Sequence, residues 1–229
     1  DTMYVLERFA GIFDPTLDPT NEEVYVFLDQ LFGEVVKIFP SPFFHIGGDE
    51  NMGKHWDENP DIQAFMKAKG IRTNHQLQSY FTLRLQDILD KYDRRMMGWE
   101  EILADDLEQS AVIHSWRGEW EGAAPKASLY EAANKGYSTI LSNGYYLDLI
   151  LKAKDGYIMD PAPTSANLTA SQRENILGGE MCMWSELVVA QTVDNAYIGA
   201  RIEQMRDGVE RGESISRCAT GTGVFTPIV

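Results

Sequence analysis

The chain alternates between two hydrophobic periods. Val24, Phe27, Leu28, Leu31, Phe32, Val35, Val36 and Phe39 return every three or four residues, the spacing of one helix face. Thr20 precedes Asn21-Glu22-Glu23, an N-cap followed by acids in the first turn, and Pro40 and Pro42 end the helix. The period then shortens. Phe43-Phe44-His45-Ile46 is a brief apolar run that stops on Gly47-Gly48 and reads as a buried strand delivering Asp49 and Glu50. Residues 51–60 read as a loop. A helix is expected around Ile62–Lys69 with Gly70 as its C-cap, and another from about Asn74 to Tyr92. Arg95–Trp99, Ala111–Trp116, Tyr137–Ser142 and Ile176–Trp184 read as four more strands. Helices are expected near Pro125–Lys135 and Ser171–Asn175, with a long loop over 152–170.

Helices alternating with five short apolar strands argue for parallel βα units in an α/β fold. Functional groups in such folds collect at the carboxyl ends of the strands. Every strand end here carries aromatic or acidic residues: Asp49 and Glu50, Trp99, Trp116, Tyr146 with Asp148, and Trp184 with Glu186. A lone strand-end tryptophan usually packs in the core. Three beside polar groups suit a sugar, whose faces stack on indoles and whose hydroxyls bond carboxylates.

Composition narrows the picture. The 229 residues carry a formal charge of −15, and no basic stripe exists to neutralise phosphates, which argues against a nucleic-acid partner. The cysteines, Cys182 and Cys218, form neither a disulfide framework nor a metal spacing. No apolar run approaches the length of a membrane span. The start, Asp1-Thr2-Met3-Tyr4, reads as the middle of a protein, so the N-terminus is expected to be a truncation, a processed end or a fragment boundary.

Asp49 and Glu50 are the sharpest chemical signal. Adjacent carboxylates repel, so one holds its proton more tightly, and acid–base catalysis needs that split. The bland alternative is an acidic surface loop. With the paired acids come Gly98-Trp99-Glu100-Glu101, Ser115-Trp116, Tyr146-Leu147-Asp148 and Trp184-Ser185-Glu186. His45-Ile46-Gly47-Gly48-Asp49-Glu50 and these four motifs, in this order, resemble the family 20 glycoside hydrolases, the β-N-acetylhexosaminidases, over roughly Phe9 to Asp194.

The resemblance implies a (β/α)8 barrel and hydrolysis of terminal N-acetylhexosamine residues by substrate-assisted retention, without a cofactor or metal. It implies Glu50 as general acid and then base, and Asp49 as the group that orients the substrate's acetamido N–H. An ionised Asp49 would favour the protonated form of Glu50. Trp99, Trp116 and Trp184 would wall the acetamido pocket, Tyr146 would bond the acetamido oxygen, and Asp148 and Glu186 would hold ring hydroxyls. Tyr145 is a rival for Tyr146. His45, His55 and Trp56 are secondary candidates: His45 is equally a structural residue, and His55 and Trp56 either reach the aglycone side or pack. The implied partners are N-acetylglucosamine- or N-acetylgalactosamine-terminated glycans, and the implied location is periplasmic, secreted or lysosome-like.

The chain departs from the family pattern twice. Five strands correspond to the fourth through eighth of the barrel, leaving open sheet edges that invite self-association. The first three strands are absent, along with an arginine used on sugar hydroxyls and the Asp and His that support the acid. After Asp194 the pattern breaks, as a reading-frame change near Asn195 would produce. Residues 1–194 are therefore expected to be a partial catalytic barrel, and 195–229 an atypical, disordered tail. Three rival readings remain. Gly47–Glu50 overlaps the diguanylate cyclase signature but lacks its following Phe. A metal hydrolase would use His45, Asp49, Glu50 and His55, which lack ligand spacing. A sugar-binding remnant would keep the tryptophans without turnover.

Overall fold

The computed structural model of the chain describes Phe13 and residues 16–118, 126–149 and 152–184. These fall into two compact units. One holds the described residues up to Asn143 together with Ala162–Gly178; the other holds Gly144–Pro161 and the described residues from Gly179. The boundary expected at 194/195, Glu186 and the expected tail all lie outside the described residues.

In the first unit, local signals set most boundaries. Helix α1 (Glu22–Ile38) is capped by Asn21, whose side chain accepts the Glu23 N–H at 3.0 Å. Thr20 is not the cap: its N–H and hydroxyl both donate to Asp18. Inside the expected 51–60 loop lies a short helix, α2 (Lys54–Glu58), which starts from a left-handed Gly53 with no side-chain cap. Asn59 caps α3 (Pro60–Lys69), which ends on left-handed Gly70, and Thr73 caps α4 (Asn74–Asp90). The remaining elements are α5 (Ala127–Asn134) and α7 (Ala170–Asn175), the latter with a capping box between Thr169 and Gln172. Between them, in the second unit, α6 (Ala153–Ile158) occupies part of the expected 152–170 loop.

The strands are β1 (Phe43–His45), β2 (Arg95–Trp99), β3 (Val112–Ser115), β4 (Ser138–Leu141) and β5 (Ile176–Gly179). They form one sheet in chain order, with β1 to β4 paired in parallel. This is the expected α/β succession of βα units, five strands of a parallel barrel sheet. Two strands correct the reading. β5 stops at Gly178-Gly179 instead of running to Trp184, and Gly178 has a φ of +141° that strand residues with a Cβ do not adopt. β1 is half-buried to exposed, not buried, because it lies at the sheet edge with β2 on one side.

Strand periodicity divides the sheet into two faces. Phe44, Ile46, Met96 and Ile113 turn toward the helices and join Tyr25, Leu28 and Phe32 of α1 and Leu85, Ile88 and Leu89 of α4 in the main core. By register, His45, Met97, Trp99, Val112 and His114 take the opposite face. A smaller core gathers Trp56, Ile62, Met66 and Leu77. The apolar face read along α1 is only half used. Val26, Phe27, Leu31, Ile38 and Phe39 are exposed, since α4 and the sheet cover only the Tyr25–Leu28–Phe32 line.

Candidate active site

The first strand's hydrogen bonding outlasts its regular geometry. Ile46 donates to the Met97 carbonyl at 2.9 Å, and Trp99 donates to the Gly47 carbonyl at 3.0 Å. The chain then leaves through left-handed Gly47 and Gly48 to Asp49 and Glu50, and Glu50 itself is left-handed at φ 53°. Such a conformation is uncommon for a residue with a Cβ and is found preferentially at functional sites. The Gln78 side chain, from the first turns of α4, donates to the Gly48 carbonyl at 2.5 Å. A two-glycine turn thus holds the acidic pair at the carboxyl end of β1, fastened by the next strand and the following helix.

Asp49 keeps a solvent-facing side, yet the atoms packed around it push its carboxyl above the ordinary aspartate range. Glu50 is half-buried, and its N–H donates to Glu101 Oε1 over a long 3.5 Å.

A ring cluster lies on the sheet face that His45, Trp99 and His114 share. Trp99 stacks on His114, with centroids 4.1 Å apart and planes at 28°, and His45 meets the Trp99 ring edge-on at 4.9 Å. His45 Nδ1 accepts the Gly47 N–H at 3.1 Å. Neutral His45 therefore carries its proton on Nε2, which faces His114 Nδ1 at 3.4 Å. Burial depresses the pKa of both rings, that of His114 to about 3, helped by the nearby His45. His45 thus shares the face of Trp99 and bonds the turn that carries the acids.

The end of β2 supplies two carboxylates that the strand-end reading noticed without assigning. Glu100 and Glu101 open a 3₁₀ turn (Glu100–Ile102). Glu100 Oε2 accepts the Trp116 N–H at 3.0 Å, the Arg117 N–H at 3.3 Å and the Ser128 hydroxyl at 2.5 Å. Glu101 Oε2 accepts the Trp116 indole N–H at 3.0 Å, and its Oε1 pairs with Arg117 Nη2 at 2.8 Å. Burial pushes the Glu101 carboxyl above the ordinary glutamate range, while Trp116 and Arg117 pull it back. Trp116 is buried, and Asn143 past β4 donates to its carbonyl at 3.2 Å. Asn51, Gln78, Glu101, Arg117 and Ser128 are among the residues lining a cleft of about 400 Å³ beside this cluster. Neither Asp49, Glu50, Trp99 nor Trp116 lines it.

Trp56 is buried in the smaller core and its indole N–H donates to the Leu17 carbonyl, so it packs instead of reaching outward; His55, beside it, is half-buried. In the second unit Tyr146 and Asp148 are buried, and Asp148 Oδ1 has no hydrogen-bond partner among the described residues. Leu147, between them, donates to the Cys182 carbonyl at 2.8 Å. Tyr145 is engaged elsewhere, donating to the Met159 carbonyl at 2.6 Å. Trp184 is 45% exposed.

Glu101, Glu100, Arg117, His114 and Gln78 are the residues the sequence reading did not single out. Glu100 and Arg117 directly follow expected tryptophans, and Glu101 closes the quoted Gly98–Glu101 motif, so those positions could have been given roles. His114 and Gln78 carried no such signal.

Comparison with known proteins identifies the family. A family model described as the catalytic domain of glycosyl hydrolase family 20 matches residues 3–201. The mouse beta-hexosaminidase subunit beta is 32% identical over 185 residues, which are 78% of this chain and 33% of that protein. The cat subunit beta is 32% identical over 226 residues, 93% of this chain and 41% of that protein. Among solved structures, a chitobiase of Flavobacterium johnsoniae superposes with a TM-score of 0.77 at 52% identity, over 81% of this chain and 28% of that one. A family 20 exo-β-N-acetylglucosaminidase from Vibrio harveyi, solved with N-acetylglucosamine, gives 0.64 at 26% identity, over 76% of this chain and 29% of that one. The chain spans about a third of the length of the curated relatives it matches. With the His45–Glu50 turn at the edge of a parallel sheet, the motifs in order and a family model over most of its length, the chain belongs to glycosyl hydrolase family 20.

Proposed function

We propose that this chain carries the acid–base side of a site that removes terminal non-reducing N-acetyl-D-hexosamine residues from β-N-acetylhexosaminides. The observation behind this reading is the turn at the carboxyl end of β1, which presents Asp49 and Glu50 and is tied to Trp99 through the Gly47 carbonyl, in a chain that matches the family 20 catalytic domain. Substrate-assisted families are an exception to the two-carboxylate scheme of retaining glycosidases. Glu50 gives its proton to the glycosidic oxygen while the substrate's acetamido oxygen bonds to the anomeric carbon, and the leaving alcohol departs. Asp49 holds the acetamido N–H and offsets the positive charge of the oxazolinium that forms. Glu50 then takes a proton from water as that water attacks the anomeric carbon from the face the alcohol left. The acetamido oxygen is released and the configuration is retained. An attached nucleophile avoids the entropy of bringing in a separate one.

By motif position Trp99, Trp116 and Trp184 bind the N-acetyl group, Tyr146 bonds its oxygen, and Asp148 and Glu186 take hydroxyls. The substrates are N-acetylglucosamine- or N-acetylgalactosamine-terminated glycans. The test is turnover of p-nitrophenyl N-acetyl-β-glucosaminide by the 229-residue chain. Release of nitrophenol that falls at least about a hundredfold in Glu50→Gln, as for loss of a general acid–base, supports the reading. Turnover that survives Glu50→Gln sinks it.

A second reading is a sugar-binding remnant without turnover. It is favoured by β1, next to the acids, which pairs on one side among the described residues. Binding of N-acetylglucosamine-thiazoline without hydrolysis would decide for it.

A further inference from the structure

We propose that Glu101 is a positioning residue that sets the Trp116 indole and the Glu50 backbone relative to each other, with Arg117 holding it in place. The proposal rests on the hydrolase reading, since it matters for the reaction only if Glu50 and Trp116 take part. Its basis is geometric. One carboxylate reaches three groups from two segments far apart in sequence: the Trp116 indole N–H at 3.0 Å and the Arg117 guanidinium at 2.8 Å past β3, and the Glu50 N–H at 3.5 Å in the acid turn. The side chain of Glu101 is nearly buried, 12% exposed, so these contacts are little diluted by water. Arg117 is more open at 40%, and its guanidinium takes the outer side of the carboxylate. Glu100 performs a related task on backbone groups, fixing the Trp116 and Arg117 N–H groups and Ser128. Trp116 is thereby gripped at its backbone by one glutamate and at its ring by the next, and the second also accepts from the acid loop.

All three partners of Glu101 are donors. A carboxylate brings only acceptors and satisfies them together. Glutamine has the same shape but brings one oxygen and one NH₂, so either orientation turns the NH₂ toward a donor. Glu101→Gln is therefore a nearly isosteric variant that breaks the linkage without emptying the space.

The experiment follows the ¹⁵N-labelled chain by NMR and measures its kinetics on p-nitrophenyl N-acetyl-β-glucosaminide. In E101Q both the Trp116 indole resonance and the Glu50 amide resonance are expected to shift. kcat is expected to fall about tenfold, as for a catalytic group displaced by less than an ångström, while KM changes less than about threefold. Both resonances unmoved overturn the proposal. Resonances that move while kcat and KM keep their wild-type values also overturn it, because the linkage would then set nothing the reaction uses. A wild-type chain with no turnover is instead the failure of the hydrolase reading, and the resonances alone then decide whether Glu101 sets the two groups. If E101Q does not fold, Arg117→Gln, which keeps the carboxylate and removes its ion pair, must shift the Trp116 indole resonance; no shift overturns the proposal.

Discussion

Buried between Trp99 and His45, the His114 ring is 1% exposed and must be neutral to stay there. With Nδ1 accepting from His45, its proton sits on Nε2, which has no hydrogen-bond partner among the described residues. Folded His114 has a pKa near 3, against roughly 6.5 in an unfolded chain. Its contribution to stability is therefore complete above pH 6.5 and is lost as the pH falls toward 3, at up to about 1.4 kcal/mol per pH unit. Asp49 and Glu101 act in the opposite sense: their raised carboxyl pKa values favour the fold below the unfolded range, and that gain is lost as the pH rises through the folded values. The two effects overlap above the unfolded carboxylate range, so the comparison must be between variants. The thermal midpoint of His114→Gln is expected to fall less than that of wild type between pH 7 and pH 4. Parallel curves would refute the assignment.

At the scale of elements, the acid turn depends on β2 as much as on β1. Gly98 has no Cβ, and one built there would lie 2.7 Å from Ile102 Cδ1 and 3.0 Å from the Gly47 carbonyl oxygen. Ile102 is fully buried, and that carbonyl already accepts the Trp99 N–H, so neither neighbour can yield freely. Gly98→Ala is expected to lower unfolding free energy by about 1–3 kcal/mol, the usual cost of overpacking, as read from urea titration; an unchanged midpoint would contradict the packing. Much of this level was legible in sequence. Gly70 announced a helix end because caps act locally. The edge position of β1 was legible only through the resemblance, which left open sheet edges; the apolar run by itself read as buried, because burial of Phe43 and Phe44 depends on how many strands stand beside them. Helix α2 was not legible, being five residues opened by Gly53 without a side-chain cap. At the site, the acid pair and the tryptophans were visible as strand-end letters. Glu101 was visible too, but its task comes from Arg117 and Trp116, which reach it only after β3 docks on β2.

For the whole molecule, the outer side of β1 and the apolar side of α1 raise the same question. Val26, Phe27, Ile38 and Phe39 are each more than half exposed, and β1 pairs on one side among the described residues. Contiguous exposed apolar surface and an open strand edge both favour association. The chain is expected to self-associate with rising concentration in analytical ultracentrifugation, and Phe27→Glu with Ile38→Lys to weaken this. Strictly monomeric sedimentation of the unaltered chain would rule it out. The acid turn also has a consequence in time. Its hydrogen bonds run to Met97 and Trp99 and, 51 residues along the chain, to Glu101. Contacts so distant in sequence close late, after the entropy of the intervening loop has been overcome. On a ribosome, α1 and β1 emerge well before the segment that fastens Asp49 and Glu50. The nascent chain therefore carries its acids loose until β2 has been made.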